Sequence, residues 1–289
     1  MKRIEKIERE IEEYQQKLYG GVISPKWSIK LQIEGNFNEK EGLIQLEEIN
    51  EALKMAYPQS QTTNMKVLDI GCGFGFFVLA CLNNGLDCYG CEIEPNLVDI
   101  GRNLLSLNDH DTDHIRLIED GKMPFQNSSF DLINLHYVLG YVANLSSLFD
   151  EILRVLKKGG YMYMITPNYL CFYEANYGLF LIPWLPRSVN KVYLKIKGRT
   201  NVDFLDTLNF VTLISLGKFF RQYHLSVKNI GLERWNRDIE NMNFAHRSHP
   251  FQFLVKSAHK YHLLFLPKFM GKMGFYTPLV YLVKKGEPE

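Results

Sequence analysis

From residue 66 onward the chain alternates short apolar runs with segments of helical periodicity, and this alternation constrains its fold more than any other feature. Strands too apolar to face water need cover on both sides, which helical crossovers between parallel strands supply. Met65 to Ile70 predicts a first strand, followed by a glycine turn and a helix from Phe76 to Asn83. Leu86 to Glu92 predicts a second strand, and Glu94-Pro95 opens a helix reaching about Asn108. Pro suits that place because the first turn of a helix has no use for its missing N–H. His114 to Ile118 and Phe130 to Leu135 are the third and fourth strands, the latter preceded by the turn Gln126-Asn127-Ser128-Ser129. Leu145 to Leu156 predicts a helix stopped by Lys157-Lys158-Gly159-Gly160, and Tyr161 to Thr166 a fifth strand closed by Pro167.

Outside this stretch the pattern differs. Ile4, Ile7, Ile11, Tyr14 and Leu18 recur at helical spacing among charges and predict an amphipathic helix that docks on its own domain. Residues 20 to 38 read as irregular. Glu39 to Tyr57 predicts a second helix with Leu43, Leu46, Ile49 and Leu53 on one face. After Pro167 come an aromatic and basic stretch (169 to 208), a helix (about 211 to 223), a strand (225 to 231), a second irregular-to-helical insert (236 to 274) and a last strand, Tyr276 to Val283. The expected class is α/β: a Rossmann-like sheet of about seven strands, mostly parallel, with helices on both faces and an inserted aromatic/basic helical region.

Composition narrows the function. Lys plus Arg number 33 against 32 Asp plus Glu, a balance that argues against a general nucleic-acid binder. MKRIEKIEREIEEY is too charged for a secretory leader, and the longest apolar stretches fall far short of the roughly 20 residues of a spanning helix. A cytoplasmic protein is expected. Cys72, Cys81, Cys88, Cys91 and Cys171 fit that compartment. Cys88 and Cys91 form a CxxC, but no second pair completes a zinc site, so small buried thiols are expected.

In Val67-Leu68-Asp69-Ile70-Gly71-Cys72-Gly73-Phe74-Gly75 a strand ends and a helix opens. Glycines here let the backbone bend sharply and approach a ligand that a Cβ would exclude, and the helix N-terminus favours an anionic group. The spacing is GxGxG, whereas a dinucleotide site has GxGxxG. Glu92 closes the second strand, where its two oxygens can accept both hydroxyls of a ribose.

VLDIGCGFG, YGCEIEP, EDGKMPFQNSSFDLI and LFDEILRVLKKGGYMYMITPN resemble, in order and spacing, the successive motifs of the class I S-adenosylmethionine-dependent methyltransferases, from about Lys66 to Asn168. The resemblance implies S-adenosylmethionine as cofactor. It puts Gly71, Cys72, Gly73 and Gly75 along the methionyl part, with Asp69 steadying the loop and the amino group. Glu92 would hold the ribose, Ile93 one adenine face, Asp120 the adenine amino group and Gly121 a ring nitrogen through its N–H, with Met123 packed nearby. It also divides the chain into an N-terminal helical extension (1–60), a cofactor-binding core (61–168), and an acceptor-side insert with the strands that complete the same domain (169–289). Many relatives carry a Glu-His pair after the fourth strand, and some quinone-type members use acidic residues there for a metal. Gly140 and Tyr141 occupy those places, so the resemblance implies no metal.

Methyl transfer from a sulfonium is an in-line displacement that gains from a dry, collinear arrangement. A hydroxyl acceptor also needs a base. His136 and Tyr137, just past the fourth strand, are the candidate catalytic residues; His246 and His249 lie in the second insert. The first insert holds Tyr169, Phe172, Tyr173, Tyr177, Phe180, Trp184 and Tyr193. Its helix predicts Val189, Val192, Tyr193 and Ile196 on one face, with Arg187, Lys191 and Lys195 on another. That basic side is either a solvated lid or a contact for an anionic acceptor or membrane surface. WLPR before a basic amphipathic helix also resembles methyltransferases encoded with bacterial glycan-building enzymes. The expected activity is methylation of a small-molecule or glycan/lipid-linked acceptor, at oxygen. A catalytically silent binding module and a nicotinamide-dependent enzyme are the alternatives.

Overall fold

The computed structural model describes residues 2–19, 39–171, 173–174, 176–181, 185–242 and 249–286. Five strands run parallel: β1 (Val67–Ile70), β2 (Cys88–Glu92), β3 (Ile115–Leu117), β4 (Phe130–His136) and β5 (Leu156–Thr166). A short hairpin, β6 (Tyr173–Glu174) and β7 (Leu179–Phe180), stands apart from them. Two later strands, β8 (Ser226–Lys228) and β9 (Leu279–Lys284), complete a seven-stranded sheet of order β3-β2-β1-β4-β5-β9-β8. β9 is antiparallel to both of its neighbours. The order reverses at β1, whose neighbours are β2 and β4, and a crevice opens at such a switch point beyond the carboxyl ends of the strands.

The helices are α1 (Lys2–Tyr19), α2 (Glu39–Ala56), α3 (Phe76–Asn83), α4 (Pro95–Leu107), α5 (Leu145–Val155), α6 (Arg187–Ile196), α7 (Leu213–Gln222), α8 (Ile230–Glu240), α9 (His249–Lys260) and α10 (Phe265–Lys272). Strand alternation sends Leu68, Ile133 and Met162 into one core with Phe149 and Leu216. Val67, Leu132 and Tyr161 enter the other, with Leu46, Ile49 and Phe77. α2 approaches α3 closely because Gly42 lies against the Phe76 carbonyl, where a Cβ would sit 2.5 Å from the oxygen. Ile7 and Ile11 of α1 bury against Phe74, Leu97 and Ile100, the docking its periodicity predicts. Cys72, Cys81, Cys88 and Cys91 are buried free thiols.

Three expectations are corrected. The strand read over 225 to 231 ends at Lys228, because the Asn229 side chain accepts the Leu232 N–H (2.9 Å) and caps α8. Lys157-Lys158-Gly159-Gly160 does not separate helix from strand: β5 begins at Leu156 and passes through it, with Gly159 at φ 71° beside a bulge. α6 is turned over. Asn190 and Leu194 are its buried residues, while Val189, Val192 and Ile196 face outward. The cause is that its cations bind inside the insert: Arg187 donates to the carbonyls of Leu205 and Leu208, and Lys191 pairs with Asp203 (2.7 Å) and Asp206 (2.5 Å). Two of the three expected basic contacts for an acceptor are thus occupied.

The insert has a small core of its own, including Tyr177, Leu181, Leu194 and Leu205. Buried Glu174 ties its hairpin by accepting the Tyr177 N–H (2.6 Å) and the Asn176 amide (2.7 Å). Phe172, Trp184 and His246 lie outside the described residues, as do the side chains of Tyr173, Phe180 and His249.

Candidate active site

The turn after β1 is built from backbone that only glycine adopts without strain: Gly71, Gly73 and Gly75 have φ of 69°, 54° and 80°. Each has a different neighbour. A Cβ on Gly71 would meet Val138 at 2.8 Å and one on Gly75 would meet Ile115 at 2.5 Å, whereas one on Gly73 would meet nothing within 4 Å. Gly73 therefore borders open space. The Gly71 and Cys72 N–H groups donate to the Cys91 carbonyl (2.8 and 3.2 Å), which holds the turn against the end of β2. Cys72 packs on Gly90, and burial pushes its thiol up, so it stays un-ionised.

Glu92 faces the same opening. Its Oε2 accepts the Gly73 N–H (3.0 Å) and its Oε1 accepts the N–H groups of Ile93 (2.7 Å) and Glu94 (3.3 Å). One buried carboxylate thus joins the glycine turn to the end of β2, and Oε2 retains a lone pair for a hydroxyl. Beside it Ile93 is 69% exposed, an apolar platform next to an acceptor oxygen. This pairing suits a ribose and its attached base, so the residues present fit S-adenosylmethionine.

Asp69, Asn134 and Tyr163 occupy one row across β1, β4 and β5 and face α2. Asn134 Nδ2 donates to Asp69 Oδ1 (2.9 Å), and its Oδ1 is buried without a partner among the described residues. Burial and the neighbouring Glu92 charge raise the Asp69 carboxyl to about 8, against the lowering effect of Asn134. α2 presents Glu41, Gln45 and Glu48 to this row at helical spacing. Asn134 Nδ2 reaches Gln45 Oε1 at 3.5 Å, and the Tyr163 hydroxyl donates to Glu48 Oε2 (3.3 Å). Burial raises the carboxyls of Glu41 and Glu48, opposed at Glu48 by Arg234 and the Tyr163 hydrogen bond.

His136 ends β4 and Tyr137 follows it, with perpendicular rings 4.8 Å apart. Tyr137 has φ 61°, a strained value for an aromatic residue, and burial with the charges of Glu48 and Glu41 pushes its phenol up to about 12. Burial pushes the His136 imidazole down to about 4, so the ring is neutral at physiological pH. Among the described residues no hydrogen bond orients it.

Asp120 and Gly121 (φ 52° and 72°) are the exposed centre of a tight turn closed by the Lys122 N–H on the Glu119 carbonyl (2.9 Å). Asp-Gly is the composition such a turn demands. Met123 is buried in the core, and its N–H donates to Glu151 (3.0 Å). Arg154 clamps this loop through the carbonyls of Met123 (2.9 Å) and Phe125 (2.7 Å). Asn134 and the acidic stripe of α2 are not among the site residues expected from the sequence. Asn134 was visible as a lone amide inside the apolar run Leu132 to Leu135, and the stripe as Glu41, Gln45 and Glu48 beside Leu46 and Ile49.

A glycine turn at a sheet switch point, joined to an acidic strand end, is an arrangement that suits a nucleoside in an α/β protein. Residues 68–164 match a family model described as a methyltransferase domain. The match falls within the stretch, about Lys66 to Asn168, whose motifs resemble those of the class I S-adenosylmethionine-dependent methyltransferases. The chain is 35% identical over 132 residues to a sterol 4-C-methyltransferase of Caenorhabditis elegans, covering 44% of this chain and 40% of that one. It is 30% identical over 127 residues to a demethylmenaquinone methyltransferase of Tropheryma whipplei, covering 44% and 52%. It is 23% identical over 192 residues to a ubiquinone biosynthesis O-methyltransferase of Bartonella tribocorum, covering 64% and 74%. The chain thus spans about half or less of the first two relatives.

Proposed function

We propose that this protein is an S-adenosylmethionine-dependent methyltransferase whose acceptor is a small molecule methylated at a hydroxyl oxygen. The observation that carries the reading is the opening bordered by left-handed Gly73, the Glu92 carboxylate and exposed Ile93. Bound there, S-adenosylmethionine supplies a methyl carbon on a positively charged sulfur. Asp69 serves its amino group, Glu92 its ribose and Ile93 its adenine; Asp120 and Gly121 serve the adenine edge. A small acceptor is supported by the relatives, whose names give a sterol, demethylmenaquinone and a step of ubiquinone biosynthesis.

Oxygen as the acceptor atom is supported by the base that the site offers. A hydroxyl must lose its proton as the new carbon–oxygen bond forms. His136, at about 4, has little driving force to take it, so His136 and Tyr137 orient the acceptor. Glu48 takes the proton, since burial makes it a stronger base than an exposed carboxylate while the Tyr163 hydrogen bond holds it in place. An anionic glycan or lipid-linked acceptor finds less support, because Arg187 and Lys191 already bind within the insert.

Titration calorimetry with S-adenosylhomocysteine and NAD, followed by transfer of a labelled methyl group to a panel of sterols, quinols and phenols, tests the reading. Binding of S-adenosylhomocysteine alone and label in an ether are expected. Binding of NAD instead would overturn the class, and label on carbon would overturn the acceptor atom.

A further inference from the structure

Between Asn241 and Gly286 the chain holds seven Lys and Arg residues and no Asp or Glu, although the whole protein balances 33 cations against 32 anions. The structure gives this segment an equally uneven distribution of apolar side chains. One side of α10 packs inward. Pro267 and Gly271 are buried, Trp235 Nε1 donates to the Pro267 carbonyl (3.0 Å), and a Cβ on Gly271 would lie 2.5 Å from the Trp235 ring. The other side is also apolar but exposed: Phe265 by 61%, Phe269 by 58% and Met273 by 54%, flanked by Leu266 and Met270. At about 100° per residue these five form one continuous outer arc, with Lys268 and Lys272 along its edge. Lys268 holds Glu240 (2.6 Å) in a surface pair, a weak contact that a lipid phosphate can replace. Tyr261 and Phe275 extend the exposed apolar surface beyond either end of the helix.

Single exposed apolar residues are ordinary, but a continuous aromatic and methionine face rimmed by lysines marks a contact surface. Charge chooses the partner. In a twofold dimer this face would meet its own basic copy, whereas a bilayer bearing anionic lipid offers an apolar interior beneath negative headgroups. Among the described residues no helix is long and apolar enough to cross a membrane, so the contact is with the surface. The patch is also tied to the site's edge of the sheet. Asn168, two residues beyond β5, donates to the carbonyls of Gly274 (2.6 Å) and Tyr276 (2.8 Å), and the parallel strands put the glycine turn at that same edge.

We propose that the face from Tyr261 to Phe275 docks on anionic bilayer surfaces, with Phe265, Phe269 and Met273 at the acyl boundary and Lys268 and Lys272 at lipid phosphates. This surface is independent of the acceptor and of the methyl-transfer reading.

Co-sedimentation of the full chain with vesicles of equal parts phosphatidylcholine and phosphatidylglycerol, against phosphatidylcholine alone, tests it. The protein should pellet with the mixed vesicles and be released by salt. The double change Phe265→Ser and Phe269→Ser should weaken binding roughly tenfold or more, while Val192→Ser with Ile196→Ser, which alters an exposed apolar face elsewhere, should leave it unchanged. Lys268→Gln with Lys272→Gln should remove the preference for the anionic vesicles. Should the Phe variants fold poorly, Phe269→Trp gives a second readout: its emission should shift to the blue with mixed vesicles only. Equal pelleting with both vesicle types, or with neither, would overturn the proposal. So would a dimer that the Phe changes split, which would assign the face to a second copy.

Discussion

Glu92 does two jobs with one carboxylate. Its oxygens already accept three backbone N–H groups, so it shapes the turn independently of the ribose proposed to bind it. Glu92→Gln replaces one of these acceptors with an NH2 group that faces a donor. We expect S-adenosylhomocysteine affinity to fall by about 1–3 kcal/mol, with a smaller loss of melting temperature, measured by calorimetry and thermal unfolding. The glycines separate ligand from fold more cleanly. Gly73→Ala should weaken ligand binding more than it weakens the fold, because its Cβ points into open space. Gly75→Ala should do the reverse, because Ile115 must move. Equal effects of the two on binding and melting would show that Gly73 does not border the ligand. These residues were legible in the sequence because a glycine-rich strand end followed by an acidic one suits a bound ribose far better than a plain turn. Asp120 and Gly121 were less so, since Asp-Gly serves a tight turn and an adenine edge equally well.

Among the elements, α2 reads as support, yet the proposed base, Glu48, lies on it. Its apolar stripe was clear from periodicity, but a row of Glu41, Gln45 and Glu48 beside such a stripe reads as a solvated flank until the sheet edge beneath it is known. If Glu48 takes the acceptor proton, Glu48→Gln should lower kcat by roughly 100-fold or more and leave S-adenosylhomocysteine affinity unchanged. His136→Gln should raise KM more than it lowers kcat. The opposite pattern, read from steady-state kinetics, would return the base to His136. α6 shows the other kind of limit. Its amphipathic spacing was plain, yet spacing cannot say which side faces in when Asp203, Asp206 and two carbonyls can attract its cations. Arg187→Ala leaves the Leu205 and Leu208 carbonyls without this donor. It should cost about 1–3 kcal/mol of stability and loosen amide-exchange protection around Leu208, with acceptor KM unchanged. A raised KM at full stability would instead make Arg187 an acceptor contact.

At the scale of the whole molecule, the core and the site together set how stability depends on pH. The mostly parallel sheet was implied by the alternation of runs, but its strand order and the row Asp69–Asn134–Tyr163 required pairing and register between strands, which no local pattern contains. Burial in that row keeps the Asp69 carboxyl protonated to about pH 8, far above its ordinary value of 3.8. Between these values the folded protein binds a proton that the unfolded chain has released, so stability is fully present at the low end and is lost as pH rises toward 8. His136 acts with the opposite sign. Its imidazole, lowered from 6.5 to about 4, makes the folded protein bind fewer protons than the unfolded chain in that interval, so this contribution rises with pH and is complete by about 6.5. The two oppose each other in acid, and above pH 6.5 the Asp69 contribution remains. Urea unfolding without ligand should therefore give a lower midpoint at pH 8.5 than at pH 6.5, and Asp69→Asn should flatten that decline. Binding of an amino group beside Asp69 favours the carboxylate, so S-adenosylhomocysteine should bind more tightly as pH rises from 6.5 to 8 and release a proton, visible as a dependence of calorimetric heat on buffer ionisation enthalpy. A midpoint that climbs over this interval, or a binding heat indifferent to buffer, would mean that Asp69 is ionised before the ligand arrives.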